Sequence, residues 1–152
     1  MGLDVSMTAE EVDAYLREQR TVRLATSDPA GAPHVVPLWY VWREGAMYLN
    51  STLGNVTVDN VLASGRATGV VDDGTAYDEL RGVTVSGTVE RLGDVAPEAV
   101  ERDWSEKYMG GGELPYRRWK NRSWFLLRPE RIASWDFAKI PEARARRDRE
   151  RS

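Results

Sequence analysis

The sequence predicts a mainly β domain of the α+β kind, with six or seven antiparallel strands curled into a small barrel and short helices on its flanks. Three observations carry this. Val22, Leu24 and Thr26 alternate with Arg23 and Ala25, the two-residue period of a half-buried strand. His34 to Trp42 is rich in Val, Trp and Tyr, which suit a pleated, packed surface. Turn chemistry separates the runs: Asp28-Pro29-Ala30-Gly31 precedes the second, and Arg43-Glu44-Gly45 precedes a third, Ala46 to Asn50. Three adjacent antiparallel strands form a meander. With no long apolar helix beside it, a meander closes on itself to bury its apolar face.

The remaining elements follow in chain order. Thr8 is an N-cap with Glu11 three residues on, a capping box, so Met7 to Arg20 reads as a helix. Met7 and Val12 are spaced for the accompanying hydrophobic staple, and Val12, Tyr15 and Leu16 line its apolar face. Pro37 falls inside the second strand, and proline cannot donate to a ladder, so this strand lies at an edge or is bulged there. Asn55 caps a short helix over Val56 to Leu62. Arg66 to Val71 is a fourth strand, and Asp72 to Glu79 a solvated acidic connection. Leu80 to Leu92 is the longest strand, with Val83, Val85, Gly87 and Val89 on one face. Gly82 and Gly87 within it mark bulges or close backbone approach. Val95 to Met109 is a helix with Pro97 in its first turn. Leu114 to Asn121, with Tyr116, Arg117, Arg118, Trp119 and Lys120, is basic and aromatic, a lid over a flat ring or a packing loop. Ser123 to Leu127 and Arg131 to Phe137 read as two last strands separated by Pro129. Residues 1–141 form the barrel domain. Residues 142–152 form a charged tail, either a helix or a mobile extension.

Composition bounds the function. At 152 residues, with 41% apolar content, the chain is one domain with a proper core. It has no cysteine, which excludes a disulfide framework, a thiolate nucleophile and an iron–sulfur cluster. Met1 to Arg20 contains no apolar signal segment, and no apolar run approaches the ~20 residues that span a bilayer. A cytoplasmic protein with no membrane partner is the expectation. The net charge of −3 argues against nucleic acid as a partner. The tail from Glu142 to Ser152 carries five arginines and three acids, so it is +2 and the remainder −5. Arginine outnumbers lysine 18 to 3, which points to a GC-rich genome.

The catalytic inventory is thin. His34 is the only histidine, which rules out a multi-histidine metal site, and its place at a strand start beside Pro33 suits a hydrogen-bonded strand-end residue better than a mobile base. There is no Walker-type loop and no GxGxxG after a strand. A domain with so few catalytic side chains only binds, or borrows its chemistry from a cofactor. The loop Ser51 to Asn55 leads into a helix N-terminus, a recurrent anion-binding arrangement. Of the six tryptophans, most belong to the core or a subunit interface, and one or two could wall a flat heterocycle.

Longer motifs then carry a resemblance. Leu24-Ala25-Thr26, Gly31 to Tyr40 and Tyr48-Leu49-Asn50-Ser51 resemble the pyridoxamine-phosphate-oxidase-like, FMN-binding split-barrel superfamily. Asp73 to Val83, Val85 to Thr88 and Ser134 to Lys139 are similar to its actinobacterial deazaflavin-dependent branch, over residues 8 to 140 in all. The resemblance implies a six- to seven-stranded antiparallel split β-barrel with short flanking helices. It also implies a homodimer with two cofactors in clefts between the subunits. The activity implied is a deazaflavin (coenzyme F-420)-dependent reductase that transfers a hydride to an activated double bond of a small molecule. The alternatives are an FMN-dependent oxidase or reductase, and a non-catalytic binder of flavin, haem or another flat ligand. The cofactor ring is expected against Val36, Pro37, Leu38 and Trp39. Its phosphate is expected near Ser51, Thr52, Asn55, Val56 and Thr57, with Asn50, Asn60 and Arg81 as further cofactor-binding residues and Trp135 or Lys139 contributed by the partner. Catalytic residues remain unassigned, with water or Tyr77 as proton source. One departure stands out: Thr57 occupies the place of the family's phosphate-gripping lysine. Either another arginine substitutes, Arg66 and Arg81 being the candidates, or this chain binds its cofactor weakly or not at all.

Overall fold

The computed structural model describes residues 2–152 apart from the side chains of Arg117 and Arg118, so the expectation of a basic stack there lies partly outside the described residues. Six strands, β1 (Thr21–Ser27), β2 (Pro33–Arg43), β3 (Ala46–Thr52), β4 (Arg66–Asp73), β5 (Arg81–Gly93) and β6 (Arg122–Asp136), close into one antiparallel barrel in the order β1-β2-β3-β6-β5-β4. Four helices flank it: α1 (Ala9–Glu18), α2 (Val56–Ser64), α3 (Glu98–Tyr108) and α4 (Ile140–Glu150). The expected split barrel with short helices is the fold.

Local chemistry explains the meander. The Asp28 side chain accepts the Ala32 amide at 2.8 Å, and Gly31 takes a φ of 86° that a side chain would resist. Glu44 and Gly45 both have positive φ, the signature of the two-residue turn whose twist matches a hairpin. Val22, Leu24 and Thr26 all point inward, as their period predicts. The capping box at Thr8 and Glu11 forms, and Val12, Tyr15 and Leu16 close one end of the core.

The predicted break at Pro129 does not occur. β6 is a single strand of 15 residues. Pro129 stands opposite Gly87 at a register shift: Ser86 pairs with Arg131 and Gly87 with Pro129, leaving Glu130 as the extra residue. A bulge tolerates proline because no ladder amide is required there. Gly87 is obligatory at the bend, since an added Cβ would lie 1.9 Å from the Arg128 carbonyl oxygen. Gly82 meets the Trp135 ring in the same way, at 2.3 Å.

Two apolar clusters result. The barrel interior holds Val22, Leu24, Tyr40, Met47, Leu49, Val83, Val85, Phe125 and Leu127, with α2 adding Val58 and Val61. Outside it, α3 and the following loop pack Val100, Trp104 and Tyr116 onto Val41 and Trp124. The 114–121 loop therefore packs through Tyr116. Asp72 and Asp73 are not loop residues but the end of β4, paired with Arg23 and Arg81. The tail is helical from Ile140, two residues before the expected boundary, and buries Ala143. Among the described residues no helix is long and apolar enough to cross a membrane.

Gly87→Ala should cost ~1–3 kcal/mol, the range for overpacking a filled site. Urea unfolding checks this against Gly2→Ala, where an added Cβ meets nothing within 4 Å.

Candidate functional site

The split arises because β2 changes partners halfway. Pro33 to Trp39 pairs with β1 alone, and only Tyr40 to Arg43 pairs with β3. Beyond Leu49, β3 continues as Asn50 to Thr52 against β6 alone. The two strands diverge, and a mouth opens between the free edge of β2 and the end of β3. Pro37 lies on that free-edge half, opposite Arg23, where its missing N–H costs nothing.

The pleat of the strands divides the expected site residues between two faces. Val36 and Leu38 stand level with the inward-facing Leu24 and Val22. Leu38, Leu49, Ser51, Thr57, Val58, Val61 and Phe125 are among the residues lining a narrow inner cavity of about 10 Å³. Pro37 and Trp39 face outward. Trp39 is 43% exposed and stacks on Tyr108 with ring centroids 4.4 Å apart and planes within 7°. Asn50 and Thr52 also face outward, alternating with Ser51.

The loop into α2 is tightly built. The Asn55 side-chain oxygen Oδ1 accepts the Val58 amide at 2.8 Å, and its Nδ2 donates to Ser51 Oγ at 3.1 Å. Val56 is exposed. Asn60 is buried and donates to Thr26 Oγ1 at 3.1 Å. Thr57, at 4% exposure, turns into the inner cavity. A lysine at this position of this chain would therefore carry its charge into an apolar space, at a desolvation cost.

The two expected substitutes for that lysine are otherwise engaged. Arg66 makes two bonds to Glu130, at 3.0 and 3.2 Å. Arg81 makes two to Asp73, at 2.9 and 3.2 Å, rather than pairing with Asp78 or Glu79, and lies 4.9 Å from the Tyr15 ring. Burial pushes the Asp73 carboxyl up, but the bonds from Arg81 and from Tyr15 outweigh it and hold it below the usual range. Lys139 pairs with Glu11 at 2.6 Å, and Trp135 lies over Gly82. Tyr77 is 70% exposed, its ring 5.0 Å from Phe137. His34 is half-buried and makes no side-chain hydrogen bond among the described residues, unlike the bonded strand-end residue expected. No group of three or more His, Cys, Asp or Glu side chains among the described residues could hold a metal.

Sequence reading missed Arg122. Its Nε donates to Asn50 Oδ1 at 2.6 Å, and its terminal nitrogens reach Thr52 Oγ1 and the Asn50 carbonyl, both at 3.4 Å. The guanidinium lies 4.6 Å from the Tyr116 ring and 5.6 Å from the Trp119 ring. Burial lowers its pKa, and among the described residues no carboxylate lies within ion-pair distance. Only the pairing of Thr52 with Arg122 brings it to the mouth, and 70 residues of chain separate the two. Lys107 is a second cation that makes no ion pair among the described residues: its Nζ donates to the Tyr40 carbonyl at 3.2 Å and sits 4.2 Å from the Tyr40 ring. Burial, then repulsion from Arg20, pulls it down to about 8.

Comparison with known proteins places the fold. Residues 8–136 match the sequence profile of the family described as pyridoxamine 5'-phosphate oxidase, and the chain belongs to that family. A conserved hypothetical protein of Mycobacterium tuberculosis is 29% identical, with a TM-score of 0.79 over 91% of this chain and 90% of that one. An FAD-binding protein from Mesorhizobium loti is 23% identical, with a TM-score of 0.66 over 85% and 94% of the two chains. A structure described as an F-420 reductase is 22% identical, with a TM-score of 0.66 over 82% of this chain and 98% of that one. No curated protein sequence matches.

The Lys107 environment predicts a pH dependence. Its native pKa of about 8 lies below the ordinary lysine value of 10.5. Between roughly pH 8 and 10 the native state has released a proton that the unfolded chain still holds, so this contribution to stability rises with pH. Lys107→Met should remove the rise. The variant should gain more over wild type at pH 7 than at pH 10 in urea unfolding, and parallel responses would show a solvated lysine.

Proposed function

We propose that this protein is an oxidoreductase that uses the reduced deazaflavin coenzyme F-420 to reduce an activated double bond of a small molecule. The observation that carries this reading is the mouth: a strand edge with unpaired backbone groups on one side, and an arginine without a counter-charge on the other. Such a site fits a flat ring with a polar rim and an anionic arm. The thin catalytic inventory agrees, since hydride chemistry is the cofactor's and the protein supplies orientation. The choice of the deazaflavin over FMN rests on the motifs at Asp73 to Val83, Val85 to Thr88 and Ser134 to Lys139.

When bound, the cofactor supplies the hydride. The chain's own part is to hold geometry, and near-attack alignment lowers a barrier by ~7–11 kcal/mol. The free edge of β2 from Val36 to Trp39 would hold the ring's polar rim. Trp39, its plane set by Tyr108, forms a shelf beside it. Asn50 and Thr52 orient Arg122 toward the anionic arm. Water or the exposed Tyr77 would supply the proton. FMN is the alternative cofactor, since the same shelf, edge and cation suit it.

A two-fold homodimer completes the site in this reading. Val35, Trp39 and Ile132 are large apolar side chains left exposed on the barrel surface. A stable interface buries more than ~1,000 Å². Trp135 and Lys139 would close the mouth from the partner subunit. Sedimentation at micromolar concentration should give twice the 17.1 kDa chain mass; a stable monomer would remove this part of the proposal.

The function is tested by titrating the protein with F-420 and with FMN, followed by absorbance, and then by adding a conjugated enone to the reduced complex. F-420 binding with enone-dependent reoxidation is expected. Binding of FMN alone would reassign the cofactor, and binding of neither would sink the oxidoreductase reading.

A further inference from the structure

Arg122 differs from the other arginines of the barrel strands that carry two or more polar contacts. Arg66 and Arg81 each face a carboxylate with both ends of the guanidinium. Arg122 is the more enclosed, yet its partners are all neutral: Asn50 Oδ1, the Asn50 carbonyl and Thr52 Oγ1. A partly desolvated cation without a counter-ion is unfavourable unless something else returns the electrostatic energy. The neutral oxygens and the rings of Tyr116 and Trp119 return part of it and fix the plane of the fork. A guanidinium has five N–H donors in rigid geometry, and these contacts leave some of them free. The fork is therefore pre-oriented at the end of β3, beside the loop that opens α2.

We infer that Arg122 is the anion anchor of the mouth, holding the phosphate of a phosphorylated flavin-type cofactor from the barrel strand β6 rather than from α2. This rests on the reading that the mouth binds such a cofactor. It accounts for Thr57: with the charge delivered from the outer face, α2 is free to bury a small hydroxyl side chain against the inner cavity. The plain structural alternative is that Arg122 only fastens β3 to β6. That role would affect stability, and it would affect every ligand alike.

Fluorescence titrations separate the two. Wild type, Arg122→Gln and Arg122→Lys are each titrated with FMN and riboflavin, and with F-420 and its phosphate-free deazaflavin core, at two salt concentrations. Wild type should bind a phosphorylated form at least tenfold more tightly than its phosphate-free counterpart. That ratio should shrink with salt, because exposed charge is screened over ~8–10 Å. Arg122→Gln keeps a donor toward Asn50 but no charge. It should bring the ratio close to one while leaving the phosphate-free affinity within about twofold, and Arg122→Lys should keep part of the ratio. Whichever phosphorylated ligand shows the ratio identifies the source of the anion. An unchanged ratio in Arg122→Gln, or no ratio in wild type, overturns the anchor and leaves the cofactor reading standing. Binding of none of the four ligands by wild type overturns both. Should Arg122→Gln fail to fold, the wild-type ratio and its partial loss in Arg122→Lys still decide.

Discussion

The bend between β5 and β6 is the constraint on which the barrel depends. At Gly87 the two backbones approach so closely that no side chain fits, and the extra residue Glu130 turns β6. Before the bend, β6 has a neighbour on each edge. Its first half, Arg122 to Leu127, pairs with β3, while nearly all of it pairs with β5. Because β6 supports the end of β3 by itself, β2 is free to leave after Leu49. The mouth is the consequence. A barrel in which β2 ran beside β3 along its whole length would have no free edge there and no place for Arg122 to open onto.

The second determinant is the aromatic cluster outside the barrel. Trp104 of α3 contacts Trp39, Tyr108, Tyr116 and Trp124, with centroids between 5.0 and 6.4 Å. Edge-to-face and stacked contacts of this kind add ~0.5–1.5 kcal/mol each beyond burial, and they fix ring planes. The Tyr108 hydroxyl lies 2.6 and 2.7 Å from the carbonyl oxygens of Arg20 and Tyr40, its single proton serving one of them, and it accepts the Tyr40 amide at 3.0 Å, which ties α3 to the strands. Trp39 at one side of the mouth and Arg122 at the other are thus oriented by the same packing, through Trp104 and Tyr116. The mouth is held by the core of the flanking helix rather than by a mobile loop.

Electrostatics divides the molecule into settled and unsettled charge. The N-terminal helix side is settled: Arg81, Asp73 and Tyr15 form one network, and Lys139 joins Glu11. At the mouth, Arg122 leans on carbonyls, a hydroxyl and rings. In a chain with a net charge of −3, Arg122 makes no ion pair among the described residues, which places positive potential locally, against the overall balance.

Much of the fold was legible because it is local. The period of Val22, Leu24 and Thr26, the capping box at Thr8, the cap at Asn55 and the turn at Asp28 to Gly31 all formed as read, each requiring only near neighbours. Pro37 announced a free edge because a missing donor has the same consequence in any fold. What the sequence left open depended on distant pairing. Pro129 read as a strand break until Gly87, 42 residues earlier, supplied the bulge that accommodates it. Thr57 and Trp39 read as members of one cleft, but the pleat and the placement of α2 turned them to opposite faces. Arg81 looked like an available cation because its partner Asp73 is brought beside it only by the pairing of β4 with β5. Arg122 gave no signal at all. Its role comes from register with Thr52, and a cation's meaning depends on which charges the tertiary structure places beside it and which it withholds.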